Sequence, residues 1–506
     1  MIPCRFLRVG LHLIVKCGSI IRSEGMLCER HMHMLIGPRW KTEEDIMRTI
    51  KHDTGLRAVK LLAILLVTLP FTACWYFYFA DTIMNPFFNK GNWAIIALFI
   101  AFYITFGRIY DAFTVSLHRI SEMAYSQCLA VVAADAIMFV ILWLLNHTFP
   151  NLIPCLITLL VQMVLVTIWA FGSQKWYYKV FPPAKTLIIY SGNHNAASLI
   201  QVYELSKKFD IQTMLSVNDC IDDLSVLDHY AAVFISGVQA HERNVILKYC
   251  ILHNVNVYFL PRIGDILLGG AQKIQMFHVP VYRVNRWNPH PEYRMVKRMM
   301  DVLLSVTILI VASPIMLITA IAIKATDGGP VFYKQERLTK DGKVFRIIKF
   351  RSMRVDAEKD GIARLSTGDQ DDRITPVGRI IRKLRIDELP QLLNILAGSM
   401  SVIGPRPERP EIAEQYEKVL PEFRLRLQVK AGLTGYAQVY GKYNTTPYDK
   451  LQMDLIYIAN PSFLEDLKIL FATVKILFLP ESTDGVAEGQ TTAVKENKEE
   501  KELLEV

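Results

Sequence analysis

Four apolar segments dominate the first third of the chain, and each approaches the length of a helix that crosses a membrane. They cover about residues 58–80, 93–107, 124–146 and 152–172, near the ~20 residues needed to span a ~30 Å hydrocarbon core. Basic residues flank the outer ends of the set and the loop between the second and third segments. By the positive-inside rule both ends then face the cytoplasm. We therefore expect a four-helix transmembrane bundle over residues 51–180.

One acidic residue, Asp135, interrupts the third apolar segment. An ionisable group is costly inside a membrane and is a functional candidate by default. A protonated aspartic acid that hydrogen-bonds to a neighbouring helix explains the position equally well, and both interpretations stay open.

From about residue 184 short β-rich runs alternate with amphipathic stretches. This alternation is typical of βαβ units with a parallel sheet, so residues 181–290 are expected to form a Rossmann-like module. Its first turn has a single glycine, Gly192, where a dinucleotide fingerprint needs three. The missing fingerprint disfavours an oxidoreductase or epimerase and favours a role in regulation or assembly. The β-rich runs are Thr186–Tyr190, Ile211–Val217, Ala231–Ile235 and Val255–Leu260.

A fifth apolar run, Val302–Ile323, carries Ser313-Pro314 at its centre and basic residues on both flanks. A straight crossing would place one basic flank on the wrong side of the membrane. A helix that bends at Pro314 and returns removes this conflict, because each arm rises only ~16 Å and stays within one leaflet. We expect this re-entrant helix over residues 302–323; the alternative is a straight transmembrane helix that tolerates a proline.

Composition and charge fit a membrane protein that handles anions. Hydrophobic residues make up 52% of the chain, and the formal net charge is +9. Basic residues gather at the edges of the apolar segments and between Lys334 and Arg385, where lipid headgroups or phosphate substrates would be met. The eight cysteines include no Cys-x-x-Cys pair, so neither a disulfide framework nor a zinc site is expected. Cys28, His31 and His33 lie close together but lack a second pair of ligands.

The ends of the chain are expected to contribute no chemistry. Residues 1–50 form an N-terminal extension without a signal-peptide pattern, and residues 481–506 form a polar, disordered tail. The stretch Phe463–Phe478 is amphipathic, with Lys468 and Lys475 on its polar side. It is expected to lie flat at the membrane interface.

Two adjacent carboxylates, Asp387 and Glu388, follow a basic helix that begins at Thr375-Pro376. In this helix Val377, Ile380, Ile381 and Leu384 are expected on one face, with Arg379, Arg382 and Lys383 on the other. Arginine and lysine bind phosphate oxygens, and a carboxylate can hold a metal ion or attack phosphorus. The structural alternative is that Asp387 caps the following helix.

Taken together, the motifs over about residues 294–479 resemble those of the bacterial sugar transferases, a family of monotopic phosphoglycosyl transferases. The four upstream helices and the module resemble its larger, WbaP/WcaJ-like members, the polyprenyl glycosylphosphotransferases. Ala431 departs from the proline common at that position. The motifs are Lys297-Arg298-x-x-Asp301, Ser313-Pro314, Lys349-Phe-Arg-Ser-Met353, Asp387-Glu-Leu-Pro-Gln391, Gly398-x-Met400-Ser-x-Ile403-Gly-Pro-Arg-Pro407 and Lys430-x-Gly432-Leu-Thr-Gly435.

The resemblance implies a mostly helical, monotopic catalytic domain over residues 291–480 and a two-step reaction. Asp387 is then the nucleophile that attacks the β-phosphate of a UDP-sugar, releases UMP and passes the sugar phosphate to undecaprenyl phosphate. It is also the Mg²⁺ contact, and Glu388 helps in positioning or proton transfer. Arg406, with Pro405 and Pro407 beside it, contacts the nucleotide diphosphate, while Lys349, Arg351 and Arg382 are further phosphate contacts.

The fold class expected is therefore membrane α/β, with the catalytic domain on the cytoplasmic face of the bacterial inner membrane. The expected product initiates an exopolysaccharide, capsule or O-antigen repeat unit. Expected partners are the UDP-sugar, undecaprenyl phosphate and membrane lipid, with a homo-oligomer and downstream glycosyltransferases as further candidates and no nucleic acid. The alternative is a catalytically silent scaffold of a polysaccharide assembly complex.

Overall fold

The computed structural model describes residues 43–84, 86–87, 89–115, 120–191, 208–355, 357, 373–441 and 446–477. The cluster at Cys28, the turn at Gly192 and the tail after residue 480 lie outside the described residues, as does the N-terminal extension up to residue 42. The described chain divides into two compact units. One contains the chain up to Lys60 together with Lys175–Leu260, and the other contains Leu61–Gln174 and the chain from Pro261 onward.

The predicted apolar segments lie in four long helices. Five described helices are long and apolar enough to cross a membrane, these four and a later one that includes Pro314. Many of their large apolar side chains point outward and remain exposed, as the lipid-facing side chains of a membrane protein do. The four helices are α1 (Glu43–Cys74), α2 (Asn89–Ile109), α3 (Ile120–Asn146) and α4 (Leu152–Val180).

Some polar side chains between these helices are paired. Tyr103 donates from its hydroxyl to Gln127 Oε1 at 2.5 Å, and Gln127 donates to the carbonyl of Ala112 at 2.9 Å. Such bonds hold apolar helices together where the hydrophobic effect between them is weak. Asp135 differs, because its buried Oδ2 accepts no hydrogen bond from the described residues. The helix-to-helix bond considered for Asp135 is therefore not formed at that oxygen.

The four predicted β-rich runs are strands of one parallel sheet, with the order β2-β1-β3-β4. Most side chains of β1 and β3 are buried, whereas β4 at the edge is mostly exposed. The coarse prediction of apolar membrane helices beside an α/β region is confirmed. The elements are β1 (Ala184–Tyr190), β2 (Phe209–Ser216), α5 (Val217–Asp222), β3 (Ala232–Ser236), α6 (Ala240–Leu252) and β4 (Asn256–Phe259).

Within the described residues after Leu260, short helices and one long helix, α8, combine with three separate pairs of strands. A hairpin of β5 and β6 precedes α8, and the other two pairs are β7 with β8 and β9 with β10. The elements are α7 (Ile263–Gly269), β5 (Gln272–Met276), β6 (Val279–Arg283), α8 (Pro291–Asp327), β7 (Phe332–Leu338), β8 (Val344–Phe350), α9 (Pro376–Lys383), α10 (Gln391–Leu396), β9 (Met400–Ile403), α11 (Pro410–Val419), β10 (Ala431–Thr434), α12 (Tyr436–Tyr440), α13 (Pro447–Ala459) and α14 (Phe463–Leu477).

Helix α8 is a single helix of 37 residues that runs through Pro314. It begins well before the predicted residue 302 and ends just after 323. Proline has no N–H to donate to the carbonyl four residues earlier, and here the Ser313 hydroxyl donates to that carbonyl, on Ile310, at 2.8 Å. The predicted return of the chain after Pro314 stays a prediction.

The first turns of α8 are fixed to the domain by the motif Lys297-Arg298-x-x-Asp301. Lys297 pairs with the fully buried Asp466 at 3.1 Å. Arg298 donates to the carbonyls of Ile395 and Leu396 at the end of α10. Asp301 accepts from the Val402 amide of β9 at 2.8 Å. Each charge of the motif thus holds a different element against the helix.

Helix α14 packs more deeply than its amphipathic pattern predicts. Ile469 is fully buried in an apolar core that also contains Leu392, Ile395 and Met400, and the ring of Phe471 lies edge-on to that of Phe106 in α2. Lys475, expected on the polar side, donates to Ser126 Oγ of α3 at 2.7 Å. Lys468, on the same side, remains exposed and pairs with Glu465. The expected position of this helix at the membrane interface stays a prediction.

Candidate functional site

The two carboxylates lie on a sharp turn between two short helices. The first helix, α9, begins with Thr375, whose hydroxyl accepts from the Gly378 amide at 3.0 Å. Arg385 has φ +56°, a left-handed conformation that is unusual for a residue with a side chain and that ends the helical path. A 3₁₀ turn, Ile386–Glu388, follows at once. The strained residue before the turn therefore sets the direction in which both carboxylates project.

The expectation that Asp387 caps the next helix is wrong. Helix α10 begins at Gln391, its N-cap position is Pro390, and no side chain accepts a hydrogen bond at that cap. Asp387 lies one 3₁₀ turn earlier, so its carboxylate is not used to satisfy amides of α10. The structural alternative that competed with a chemical role is thereby removed.

Glu388 is the centre of a cluster of three cations. Its Oε1 lies 3.2 Å from Lys349 Nζ, 3.5 Å from Arg406 Nη2 and 3.9 Å from Arg385 Nη1. Burial alone would raise the pKa of Glu388, but Lys349, Arg406 and Arg385 outweigh burial and hold that pKa well below its ordinary range. Glu388 is therefore ionised at neutral pH, and its charge is already matched.

The pKa of Asp387 shifts in the opposite direction, above its ordinary value. It is almost fully buried, and burial together with the adjacent Glu388 charge raises its pKa from 3.8 to about 6. Lys349, Arg382 and Arg385 limit the increase. At pH 7 the group is mainly a carboxylate, yet its charge is poorly stabilised. Such a carboxylate gains most from a cationic or electrophilic partner.

The predicted phosphate contacts separate into two groups. Lys349 and Arg406 contact Glu388, and Arg382 acts on Asp387 through its charge. Arg351 instead makes two hydrogen bonds to Asp327 at the end of α8 and is buried there. Its described contacts therefore fix the end of the long helix, because the strand β8 ends between Lys349 and Arg351 and directs them to different partners.

The turn Gly404-Pro-Arg-Pro407 is held in place by close backbone packing. A Cβ on Gly404 would lie 2.4 Å from the carbonyl of Lys430, and one on Gly432 would lie 2.2 Å from the Gly404 amide. Gly435 has the same constraint, with 2.1 Å to the Gly404 carbonyl. These three glycines allow the turn at Gly404 to contact the backbone of residues 430–435 directly. The Gly404-Pro-Arg-Pro407 and Gly432-Leu-Thr-Gly435 motifs therefore depend on each other.

Two arginines outside the predicted set support this turn. Arg337 donates to the carbonyl of Pro407 at 3.0 Å, and Arg426 donates to the carbonyl of Arg406 at 3.0 Å. Arg426 also pairs with the fully buried Asp454 at 2.8 Å and lies 3.6 Å from Glu408. Sequence reasoning missed this second cluster because its members are far apart in the chain. The only local signal was a charged residue, Arg426, in a stretch with apolar neighbours.

The residues present fit a magnesium ion bound with a substrate. The described residues contain no group of three or more His, Cys, Asp or Glu side chains arranged around a metal. Mg²⁺ is commonly held by one or two carboxylates and completed by substrate phosphates and water, so a dedicated cage is not needed. Glu388 is already surrounded by cations, which leaves Asp387 as the carboxylate whose charge is less well stabilised.

Comparison with known proteins identifies the family of this chain. The family model described as bacterial sugar transferase matches residues 292–480. The exopolysaccharide production protein PSS of Rhizobium leguminosarum bv. phaseoli is 40% identical over 187 residues, which cover 35% of this chain and 92% of that protein. The chain belongs to the bacterial sugar transferase family.

Two longer relatives carry more specific names. The UDP-N-acetylgalactosamine-undecaprenyl-phosphate N-acetylgalactosaminephosphotransferase of Aeromonas hydrophila is 39% identical over 234 residues, 46% of this chain and 54% of the relative. The UDP-glucose:undecaprenyl-phosphate glucose-1-phosphate transferase of Escherichia coli (strain K12) is 37% identical over 212 residues, 41% of this chain and 44% of the relative. The match thus spans about half the length of these two relatives.

Proposed function

We propose that this protein transfers a sugar 1-phosphate from a UDP-sugar to a polyprenyl phosphate, with undecaprenyl phosphate as the acceptor. One observation carries the proposal. Two adjacent carboxylates have opposite environments, with Glu388 neutralised by three cations and Asp387 ionised but poorly stabilised. A pair of groups with pKa values moved apart assigns separate chemical roles. The names of the Aeromonas and Escherichia relatives suggest the substrates.

In the first step an oxygen of the Asp387 carboxylate attacks the β-phosphorus of the UDP-sugar. The bond between that phosphorus and the oxygen bridging to the α-phosphorus breaks, and the bridging oxygen leaves with UMP. The sugar phosphate is then joined to Asp387 as an acyl phosphate. Burial of Asp387 favours this step, because the reaction removes a poorly stabilised negative charge from the carboxylate.

In the second step an oxygen of the acceptor phosphate attacks the same phosphorus. The bond from phosphorus to the Asp387 oxygen breaks, the carboxylate is restored, and a polyprenyl diphosphate sugar is formed. This product would initiate a repeat unit of an exopolysaccharide, capsule or O-antigen. Both attacks are by anions on a charged phosphate, so stabilisation of charge is the main demand on the protein.

The cations around the carboxylates meet this demand. Arg406 is half-exposed, and its backbone is fixed by Arg426. We assign its guanidinium to the diphosphate, where it can form two parallel hydrogen bonds. Lys349 and Arg382 place further positive charge near the reacting phosphorus. Asp387 would hold Mg²⁺ together with the diphosphate, and the ion would supply additional charge neutralisation there.

The membrane geometry follows from where the two substrates are found. The lipid phosphate lies at the membrane surface and the nucleotide sugar lies in the cytoplasm. Met300 and Leu304, in the first half of α8, contact the core of the catalytic region, and Met316 and Ala320, after Pro314, contact a second apolar cluster of the same region. A helix that re-enters one leaflet and returns would bring both halves to one side, as these contacts favour.

Cysteine labelling tests that geometry directly. Single cysteines in a cysteine-free background at Arg294 and Thr326 flank the apolar part of α8 on its two sides. Both should react with a membrane-impermeable maleimide in inverted vesicles and neither in right-side-out cells. Labelling of one position from outside would mean that α8 crosses the membrane. The predicted inner-membrane location, domain limits, homo-oligomer and downstream glycosyltransferase partners stay predictions.

The decisive experiment for the chemistry uses purified protein, Mg²⁺, a panel of UDP-sugars and undecaprenyl phosphate. UMP should be released with at least one sugar, and Asp387→Asn should lower that release by at least about a thousandfold, as loss of a nucleophile does. Asp341→Asn is the matched control, because Asp341 is exposed and pairs only with Arg286 in the described contacts. Release of UDP, or full activity of Asp387→Asn, would contradict the proposal.

A further inference from the structure

The apolar face of helix α9 is only partly covered by other elements. Val377 and Ile381 pack against Ile323 and Phe350, as the apolar face should. Ile380 and Leu384, expected on the same face, are 62% and 61% exposed. At about 100° per residue these four positions lie within about 100° of one another around the helix, with 380 and 384 toward one edge. Ile380 and Leu384 therefore form an uncovered apolar stripe along the edge of the packed face.

A basic stripe runs beside the apolar one. Arg379 and Lys383 are both exposed and, like Ile380 and Leu384, are four residues apart. Residues at this spacing are neighbours on a helix surface, about 5–6 Å apart at their Cβ atoms. The outward side of α9 thus combines two apolar side chains with two cations. Single exposed leucines are ordinary on protein surfaces, but this combination matches a molecule with an apolar chain and an anionic head.

The position of α9 relates this surface to both the membrane helix and the reacting carboxylate. Through Ile381 the helix packs on Ile323, in the second half of α8. The neighbouring residues Leu317, Ile318 and Ile321 of α8 are more than 60% exposed, as in a helix that faces lipid. In the other direction, Leu384 is followed by the turn that carries Asp387. The charge of Arg382, between the two basic residues, limits the rise in the pKa of Asp387.

We propose that Arg379, Ile380, Lys383 and Leu384 form a docking face for the lipid phosphate acceptor. Ile380 and Leu384 contact the first isoprene units, and Arg379 and Lys383 hold the phosphate monoester before it reaches Asp387. The assignment rests on the proposed function. A bulk anionic lipid is a poorer match, because a lipid held this close to Asp387 would compete with the acceptor in every catalytic cycle.

Separating the two half-reactions tests the proposal. Exchange of labelled UMP into UDP-sugar needs only the first step, whereas transfer to undecaprenyl phosphate needs both. The variant Ile380→Gln/Leu384→Gln keeps good helix-forming residues at exposed sites, so the fold should be preserved. Its KM for the acceptor should rise by about tenfold or more, because each lost apolar contact is worth about that factor. The rate of UMP exchange should change by less than about twofold, because exchange needs only the first step and loses no apolar contact with the acceptor.

The basic pair is tested in parallel. Arg379→Gln/Lys383→Gln should raise the acceptor KM and leave UMP exchange unchanged. Matched controls are Ile251→Gln and Lys418→Gln, an exposed apolar and an exposed basic residue on helices α6 and α11. Neither control should alter the acceptor KM. Co-sedimentation with vesicles of phosphatidylcholine and phosphatidylglycerol measures membrane attachment separately.

The possible outcomes separate the explanations. A raised acceptor KM with unchanged exchange and unchanged vesicle binding supports the docking face. Reduced vesicle binding with a normal acceptor KM would make α9 a general membrane anchor instead, and an equal loss in both half-reactions would place it on the donor side. Unchanged kinetics in both double variants would also overturn the proposal.

A binding measurement distinguishes failure of this inference from failure of the proposed function. A benzophenone-bearing polyprenyl phosphate, photolysed with the unaltered protein, should label residues 376–384, and an excess of undecaprenyl phosphate should prevent the labelling. This readout needs no chemistry at Asp387. Absence of UMP exchange in the unaltered protein would contradict the catalytic proposal, whereas labelling elsewhere would contradict the docking face.

Discussion

Arg406 belongs to two charge clusters, one through its side chain and the other through its backbone. Its guanidinium lies 3.5 Å from Glu388 in the cluster that includes Asp387, and its carbonyl accepts from Arg426 in the cluster that includes Asp454. In the second cluster Arg426 and Asp454 are almost completely buried and meet at 2.8 Å. In the first, Arg406 and Arg385 remain partly exposed, and Asp387 is buried beside the charge of Glu388.

This difference in burial indicates that the Arg426 cluster supports the structure, whereas the Asp387 cluster is placed to act on a substrate. In the Arg426 cluster, burial raises the pKa of Asp454 to about 6 although Arg426 opposes the shift, so the pair is costly to bury and costly to break. It holds the Gly404–Pro407 turn in one conformation. In the Asp387 cluster, the excess of positive charge is partly open to solvent and available to a substrate. The buried cluster of Arg426 and Asp454, here called the closed cluster, therefore positions the partly exposed cluster of Asp387, Glu388 and Arg406, here called the open cluster.

The largest effect on stability should come from breaking the closed cluster. Arg426→Met leaves Asp454 and Glu408 without their shared cation and removes the hydrogen bond to Arg406. We expect a loss of about 3–5 kcal/mol in the free energy of unfolding, measured by thermal or denaturant unfolding in detergent. Arg424→Met is the matched control, since Arg424 is on the same 3₁₀ segment but exposed; a loss below about 1 kcal/mol is expected there. Equal losses would contradict the contrast.

Removing a charge from the open cluster should instead increase the free energy of unfolding. The pKa of Asp387 is raised from 3.8 to about 6, so its contribution to stability is fully present below pH 4 and is lost as the pH rises through 6. The cost at neutral pH is about 3 kcal/mol. Asp387→Asn removes this charge and should therefore stabilise the protein at pH 7.5, but not at pH 4, in buffer without divalent cations.

Glu388→Gln provides the control for that experiment. The pKa of Glu388 is lowered by Lys349, Arg406 and Arg385, so its contribution is present above its unfolded pKa. Substitution should destabilise the protein at pH 7.5. Destabilisation by Asp387→Asn at that pH would mean that the carboxylate is better satisfied than its surroundings indicate.

A smaller effect, on binding of the UDP-sugar, is expected from replacing Arg406, the residue that joins the two clusters. Arg406→Lys keeps the positive charge and the backbone contact with Arg426 but removes the planar pair of donors. The KM for the UDP-sugar should rise about 10- to 100-fold, as for loss of a hydrogen bond to a charged group, with the melting temperature unchanged. An unaltered KM would place the diphosphate elsewhere. Arg424→Lys serves as the control in the same assay.

The smallest effect should come from an uncharged contact. Ser313→Ala removes the hydroxyl that donates to the Ile310 carbonyl beside Pro314, and the expected loss is about 1 kcal/mol of unfolding free energy. Ser313→Thr should restore it. Ser305 is on the same helix and its buried hydroxyl has no hydrogen-bond partner among the described residues, so Ser305→Ala should be neutral. A loss well above that value for Ser313→Ala would mean that the hydroxyl does more than replace the hydrogen bond missing at Pro314.

Local patterns predicted much of the fold. The apolar runs lie in long helices and the four β-rich runs are strands, because burial in a membrane or in a parallel sheet demands apolar side chains over a characteristic length. The pattern did not determine which of these side chains another element covers. Lys475 donates to Ser126 of α3 and Ile380 is left exposed, since the partner of a helix face is chosen by the rest of the molecule.

The sequence by itself determined the membrane helices, the family and the candidate carboxylates, because these depend on residue type, length and motif spacing. Only the tertiary structure decided that Glu388 collects three cations while Asp387 is left with a raised pKa. It also separated Arg351 from the site and added Arg426 to the support of Arg406. Electrostatic roles depend on distance and burial, and neighbours along the chain do not fix either quantity.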